Sequence, residues 1–297
     1  MSELKIGMIG LDTSHCPAFA KLLNNSDDPH HVPGGRVHVA YPGGSQALAV
    51  SRDRVAGFTA RLRDEFNVEI LDSIEAVAER SDAILLESVD GRTHLEEFRR
   101  IAPYGKPVFI DKPLTTSTRE AEEIFALAER HGSPVFSTSS LRYAAGLFDL
   151  SGGRAVLGCE VHGPNAILDD FPGLYWYGIH SAELVYLYMG TGCRSVQVCT
   201  SPTADVVSGL WADGRIGVMY GYRIPKVGSF GATLFTAEGV VQGEAAKEPP
   251  TYALLLQRVI EFFRTGRSPV AKEETLELIR FLEAANESKA TGKAVTL

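Results

Sequence analysis

Residues 5–15 read KIGMIGLDTSH, and this stretch decides the fold. Lys5 to Leu11 is a short apolar run that reaches Gly10, the pattern of a strand buried on both faces of a parallel sheet. A helix follows over residues 16–24, with Ser14 in position to cap it. The same alternation continues downstream. Strands are expected at 36–41, 68–71, 82–87, 107–110 and 134–139. Helices are expected at 46–66, 74–80 and 93–104, and one capped by Ser117 runs to His131. Strand and helix in strict alternation mean a parallel sheet with helices on both faces, so the first half reads as a Rossmann-type doubly wound α/β domain.

The second half reads differently. Residues 195–200, 206–211, 216–223 and 232–236 alternate apolar with polar, as strands of a mostly antiparallel open sheet do. Two helices close the chain, at 252–264 and 272–288. The expected organisation is a nucleotide-binding domain over 1–145 and an α+β substrate and oligomerisation domain over 146–297, with the closing helices free to pack back on the first domain.

A formal net charge of -8 argues against nucleic acid and membrane surfaces as partners, since both require a basic face. No C-x-x-C pair occurs among the four cysteines, so reduced thiols and a cytoplasmic location are expected. No signal-peptide pattern precedes the first strand, and no apolar run is long enough to span a bilayer.

Three ordered segments carry a family resemblance. Gly105-Lys106-Pro107-Val108 leads into Asp111-Lys112-Pro113; Gly178-Ile179-His180 precedes Glu183 and Gly190; the tail carries Gly266, Pro269-Val270, Glu273-Glu274, Ala284-Ala285 and Ser288. His94 and Arg142 also fall in place. In this the chain resembles the glucose-fructose oxidoreductase / inositol dehydrogenase (Gfo/Idh/MocA) family over nearly its whole length. The resemblance implies an NAD(P)-dependent oxidoreductase that moves hydride to or from a sugar, cyclitol or related polyhydroxy substrate. It assigns Lys112 to the substrate hydroxyl and His180 to acid–base work on its proton, chemistry that suits an alcohol oxidation. It implies a homodimer or homotetramer formed through the C-terminal sheet, where Val218, Tyr220 and Tyr222 would form an apolar face.

The chain departs from the family in its glycine-rich loop. The fingerprint G-x-G-x-x-G falls on Gly10-Leu11-Asp12-Thr13-Ser14-His15, and only the first glycine is kept. Asp12 sets bulk and negative charge where the backbone should approach a pyrophosphate, so Asp12→Gly is expected to tighten NAD(H) or NADP(H). Thr13, Ser14 and the helix N-terminus still offer donors to an anion. The second strand ends in Tyr41-Pro42-Gly43-Gly44-Ser45 without the acid that would bind the ribose of NAD, which leaves NAD and NADP both open. The cofactor-binding set is then Gly10, Asp12, Thr13, Ser14, His15, Gly43, Gly44, Ser45, His94 and Asp111. Arg142, Trp176, Tyr177 and Glu183 are the substrate candidates.

Another class of function stays open beside the redox reading. It is a metal-assisted lyase or hydrolase on the same scaffold, or a non-catalytic ligand-binding protein. Glu160 and His162 alternate on one strand and so share a face. His180 and Glu183 are three apart on one helix face. No metal is expected, but these four residues are the set that would hold one.

Overall fold

The computed structural model describes residues 3–225 and 228–297. It divides into two compact units. One comprises the chain up to Thr115, Arg119–Thr138 and Tyr252–Ala271; the other comprises Thr116–Thr118, Ser139–Thr251 and Lys272–Leu297.

The first unit runs β1 (Leu4–Ile9), α1 (His15–Asn24), β2 (Gly35–Tyr41), α2 (Ala49–Arg52), α3 (Val55–Phe66), β3 (Glu69–Ile70) and α4 (Ile74–Glu79). It continues with β4 (Ala83–Leu86), α5 (His94–Ile101), β5 (Val108–Ile110), α6 (Thr118–His131) and β6 (Val135–Phe136). The strands form one parallel sheet in the order β3-β2-β1-β4-β5-β6. This is the doubly wound arrangement expected. Beyond the exposed Lys5 at its start, the central pair β1 and β4 carries only apolar side chains and glycine because both faces are covered: Ile6, Met8, Ile9 and all of Ala83 to Leu86 are fully buried. Helix α1 buries Cys16, Phe19, Ala20 and Leu23, the i, i+3, i+4, i+7 stripe of an amphipathic helix. Asn24 at its end accepts from the Val37 amide at 2.9 Å and donates to the Val37 carbonyl at 2.8 Å, fastening helix to strand.

The expected single helix over 46–66 is two helices, α2 and α3, interrupted at Asp53 and Arg54. The cause is tertiary. The Ser51 hydroxyl accepts from the Ser45 amide and donates to Asp12, while the Arg54 side chain donates to the Val50 carbonyl. Ser14, expected as a helix cap, makes no capping bond with its side chain; the Cys16 amide donates to the Thr13 carbonyl instead. Ser73 does cap, accepting from the Ala76 amide at 3.2 Å.

The second unit contains β7 (Val156–Pro164), α7 (Gly178–Met189), β8 (Cys193–Thr200), β9 (Ala204–Trp211), β10 (Ile216–Tyr222), β11 (Gly231–Thr236) and β12 (Gly239–Glu244). Helix α8 (Thr251–Thr265) belongs almost wholly to the first unit, and α9 (Lys272–Thr291) and β13 (Val295–Thr296) return to the second. The sheet order is β12-β11-β7-β10-β9-β8-β13, antiparallel apart from the parallel pair β7 and β10. Helices α7 and α9 cover one face, over Val161, Met219, Val207 and Val196. On the opposite face Leu210, Ile216, Tyr220 and Phe235 are exposed. Of the three residues expected there, Tyr220 is exposed and Val218 half-buried, but Tyr222 is buried, with its hydroxyl donated to the Ser229 carbonyl. Among the described residues no helix is long and apolar enough to cross a membrane. All four cysteines are free thiols.

Candidate functional site

Open α/β sheets bind ligands beyond the carboxyl ends of their strands. In the first unit those ends are the loops after β1, β2, β4 and β5. Gly10 closes β1 at φ +83°, and a Cβ there would lie 2.3–2.5 Å from the Ser88 side chain and backbone. Only glycine therefore allows the β1 and β4 loops to touch. The Gly10 and Leu11 amides donate to the Tyr41 and Pro42 carbonyls, which sets the turn against the end of β2.

Asp12 is wholly buried and turned into the protein. Its carboxylate accepts from the Ser51 hydroxyl at 2.6 Å and from the Val89 amide at 2.9 Å. Burial raises its carboxyl, and these bonds counter only part of that. At the start of α1 the backbone N–H groups of Thr13 and Ser14 donate to no described residue. The third residue of the helix is Pro17, which has no N–H to add. Gly43 and Gly44 both adopt positive φ after β2. Ser45 is committed to Asp90, donating at 2.7 Å, and Arg92 grips the same carboxylate in bidentate fashion.

His15 and Asp111 lie together, Nδ1 2.8 Å from Oδ2, with Glu87 at 3.8 Å from the same nitrogen. Glu87 directly follows β4, and sequence reasoning did not select it. The available signal was a charged residue ending an otherwise wholly apolar strand. The His15 ring is seated between Phe19, stacked at 5.5 Å, and Tyr252, edge-on at 4.9 Å. Burial pushes the Glu87 carboxyl well up, and Asp111 and Asp12 push it further. Asp111 is buried too, yet His15 and Lys112 hold its carboxyl low. Lys112 is nearly buried; desolvation draws its ammonium down, opposed by Asp111. His94 is closed off by main chain, with Nδ1 at 3.0–3.1 Å from the Pro113 and Leu114 carbonyls and Nε2 at 2.7 Å from that of Ser88. It braces the β4 and β5 loops.

In the second unit His180 stands in the first turn of α7, with Nδ1 2.6 Å from the Ser139 hydroxyl. Tyr177 and Phe230 present their rings edge-on to it at 5.3 and 5.8 Å. Glu183, one turn on, accepts from the Ser139 amide at 3.1 Å and from Arg142 at 2.9 Å, and Arg142 also binds Glu274. Two proposed substrate residues, Arg142 and Glu183, are thus buried and joined to each other. Trp176 packs edge-on to Phe171 at 5.6 Å, and Tyr177 is exposed. Glu160 and His162 do share a face, 3.4 Å apart. With His180 on Ser139 and Glu183 on Arg142, the four do not converge. Among the described residues the one group of three or more side chains placed to hold a metal ion is His15, Glu87 and Asp111.

Residues 4–139 match the profile of the GFO_IDH_MocA family, described as an oxidoreductase family with an NAD-binding Rossmann fold. Over these residues, which carry the parallel sheet of the first unit, the chain is similar to this family. No curated protein matches it in sequence. Its fold is shared by GenD2 of gentamicin A biosynthesis, solved with NAD, at TM-score 0.79 and 17% identity, over 100% of this chain and 97% of that one. It is shared as closely by myo-inositol 2-dehydrogenase from Lactobacillus plantarum, at TM-score 0.79 and 15% identity over 100% of both chains. Myo-inositol dehydrogenase from Lactobacillus casei, solved with NAD(H) and myo-inositol, gives TM-score 0.79 and 15% identity over 100% and 97%.

Proposed function

We propose that this protein is a member of the oxidoreductase family it resembles, an NAD(P)-dependent enzyme acting on a CH–OH group of a sugar, cyclitol or related polyhydroxy compound. One observation carries the reading. The Asp12 carboxylate is drawn inward by Ser51 and Val89, while the Thr13 and Ser14 amides at the start of α1 are left without protein acceptors. The loop has lost two of the three fingerprint glycines yet keeps a small anion seat at a helix N-terminus, so its residues fit a dinucleotide pyrophosphate. When bound, the nucleotide supplies the hydride acceptor or donor. Thr13 and Ser14 would hold the diphosphate. Lys112, at the end of strand β5, takes the substrate hydroxyl, and burial suits it to that task because a desolvated ammonium stabilises an alkoxide more strongly than a hydrated one. His180 moves the hydroxyl proton, its ring oriented through Nδ1 by Ser139.

Titration of the purified protein with NADH and NADPH, read by nucleotide fluorescence, tests this. Saturable binding of at least one is expected, and its strength ranks the two. Failure of both to bind would sink the redox reading.

Self-association in the cytoplasm belongs to the same proposal. What supports it is a continuous apolar band across the open face of the second sheet. Phe235 pairs with Gly158, Gly158 with Ile216, and Ile216 with Leu210. Phe235, Ile216 and Leu210 are 47%, 53% and 44% exposed, which marks a surface suited to a partner copy.

A further inference from the structure

We propose that His15, Glu87 and Asp111 form a binding site for a divalent first-row transition ion of the zinc class. It lies wholly within the first unit, beyond the ends of β1, β4 and β5. The inference goes beyond the oxidoreductase reading and does not depend on it.

The donor atoms are one imidazole nitrogen and one oxygen from each carboxylate, all within 4.8 Å of one another. Zinc bonds of about 2.0–2.2 Å in a tetrahedron set neighbouring donors about 3.3–3.6 Å apart. The observed separations from His15 Nδ1, 2.8 Å to Asp111 and 3.8 Å to Glu87, straddle that spacing, so adjustments of about half an ångström would bring both of these pairs to it.

The second, independent observation is Glu87. It is fully buried, and neither carboxylate oxygen accepts a hydrogen bond from any described residue. Proteins rarely leave a buried carboxylate this way, because its desolvation must be offset by a donor or a counter-charge. Here a second buried carboxylate, Asp111, stands beside it, and a divalent cation would answer both. The scaffold is firm. The Glu87 amide donates to the Ile9 carbonyl at 2.7 Å and the Asp111 amide to the Leu86 carbonyl at 2.8 Å, which extends the sheet ladder to both ligands. Phe19 and Tyr252 fix the ring of the third. The His15 side chain keeps 13% of its surface exposed, which gives an ion a way in.

Mixed imidazole and carboxylate donors favour zinc, cobalt or manganese over the all-oxygen surroundings of magnesium and calcium. Three protein ligands leave a fourth position open to a small oxygen ligand such as water, a hydroxyl or a carboxylate.

The test uses the full-length protein, stripped with a chelator and then titrated with Zn2+ by calorimetry and with Co2+ by visible absorption. One equivalent should bind, with a tetrahedral cobalt spectrum, and Zn2+ should raise the melting temperature. Glu87→Gln removes a buried charge at constant shape and should weaken Zn2+ by about a hundredfold. His15→Gln, at a partly exposed position, should do the same and serves as the second variant if circular dichroism shows that the first does not fold. Binding of less than one equivalent, or an affinity unchanged in both variants, overturns the proposal.

Discussion

Asp12 stands where the family has the glycine that lets a backbone approach a diphosphate, and the structure gives it a different task. It joins the β1 loop to Ser51 and to the β4 loop through two buried hydrogen bonds. Asp12→Gly should therefore destabilise the protein by about 2–4 kcal/mol in denaturant unfolding, through two lost bonds to a charged acceptor and a looser unfolded chain. Nucleotide affinity should not improve, contrary to what charge alone suggests from the sequence, because the carboxylate does not face the Thr13 and Ser14 amides. Tighter binding in that variant would show that Asp12 opposes the ligand after all. For the chemistry, Lys112→Ala should abolish turnover. His180→Ala should slow it by about a hundredfold or more if the ring is the general base. In both variants the circular dichroism spectrum should match the parent's. Activity equal to the parent's on a genuine substrate would remove the assigned role.

At the scale of elements, the parallel sheet was legible because strands buried on both faces must be continuously apolar, as 6–11 and 83–86 are. The break between α2 and α3 was not legible, since it is set by what Ser51 touches some 40 residues away in sequence. β12 was missed because most of its residues are exposed on both faces, so no alternation records it. In the candidate site, Asp12 and His15 declared themselves by breaking a pattern. Glu87 hid as the last residue of the strand expected at 82–87, although it lies just past β4. Another non-local tie supports a pH prediction. Asp205 on β9 is buried and takes hydrogen bonds from Thr200, Asn165, Arg223 and Lys289, gathering β8, β10 and α9 around one carboxylate. Burial alone would raise its pKa, but the bonds from Arg223, Thr200 and Lys289 prevail and hold it low. A depressed carboxyl stabilises the fold above its unfolded pKa of about 3.9, and that contribution is lost as pH falls through the lower folded value. Asp205→Asn should thus cost about 2 kcal/mol at pH 7 in urea unfolding. The gap to the parent should narrow below about pH 4. A gap independent of pH would refute the electrostatic account.

For the whole molecule, the apolar band of Phe235, Ile216 and Leu210 sets the expectation for assembly. Sedimentation at micromolar concentration should show a species of at least twice the 32.2 kDa chain mass. Leu210→Lys together with Ile216→Lys should return it to the monomer mass, since two ammonium groups cannot be desolvated against an identical surface without partners. A parent that sediments as a monomer would refute self-association through this face. The path of the chain carries one more consequence. Helix α8 packs in the first unit, with Phe262 5.6 Å from Phe136 and Tyr252 against His15, yet more than a hundred residues of the second unit are made before it. During synthesis at about 5–20 residues per second, the N-terminal sheet waits on the order of ten seconds for its last helix to leave the ribosome. Until then Phe136 and its neighbours lack part of their cover, so a nascent chain of this protein is a natural client for chaperones that hold exposed apolar surface.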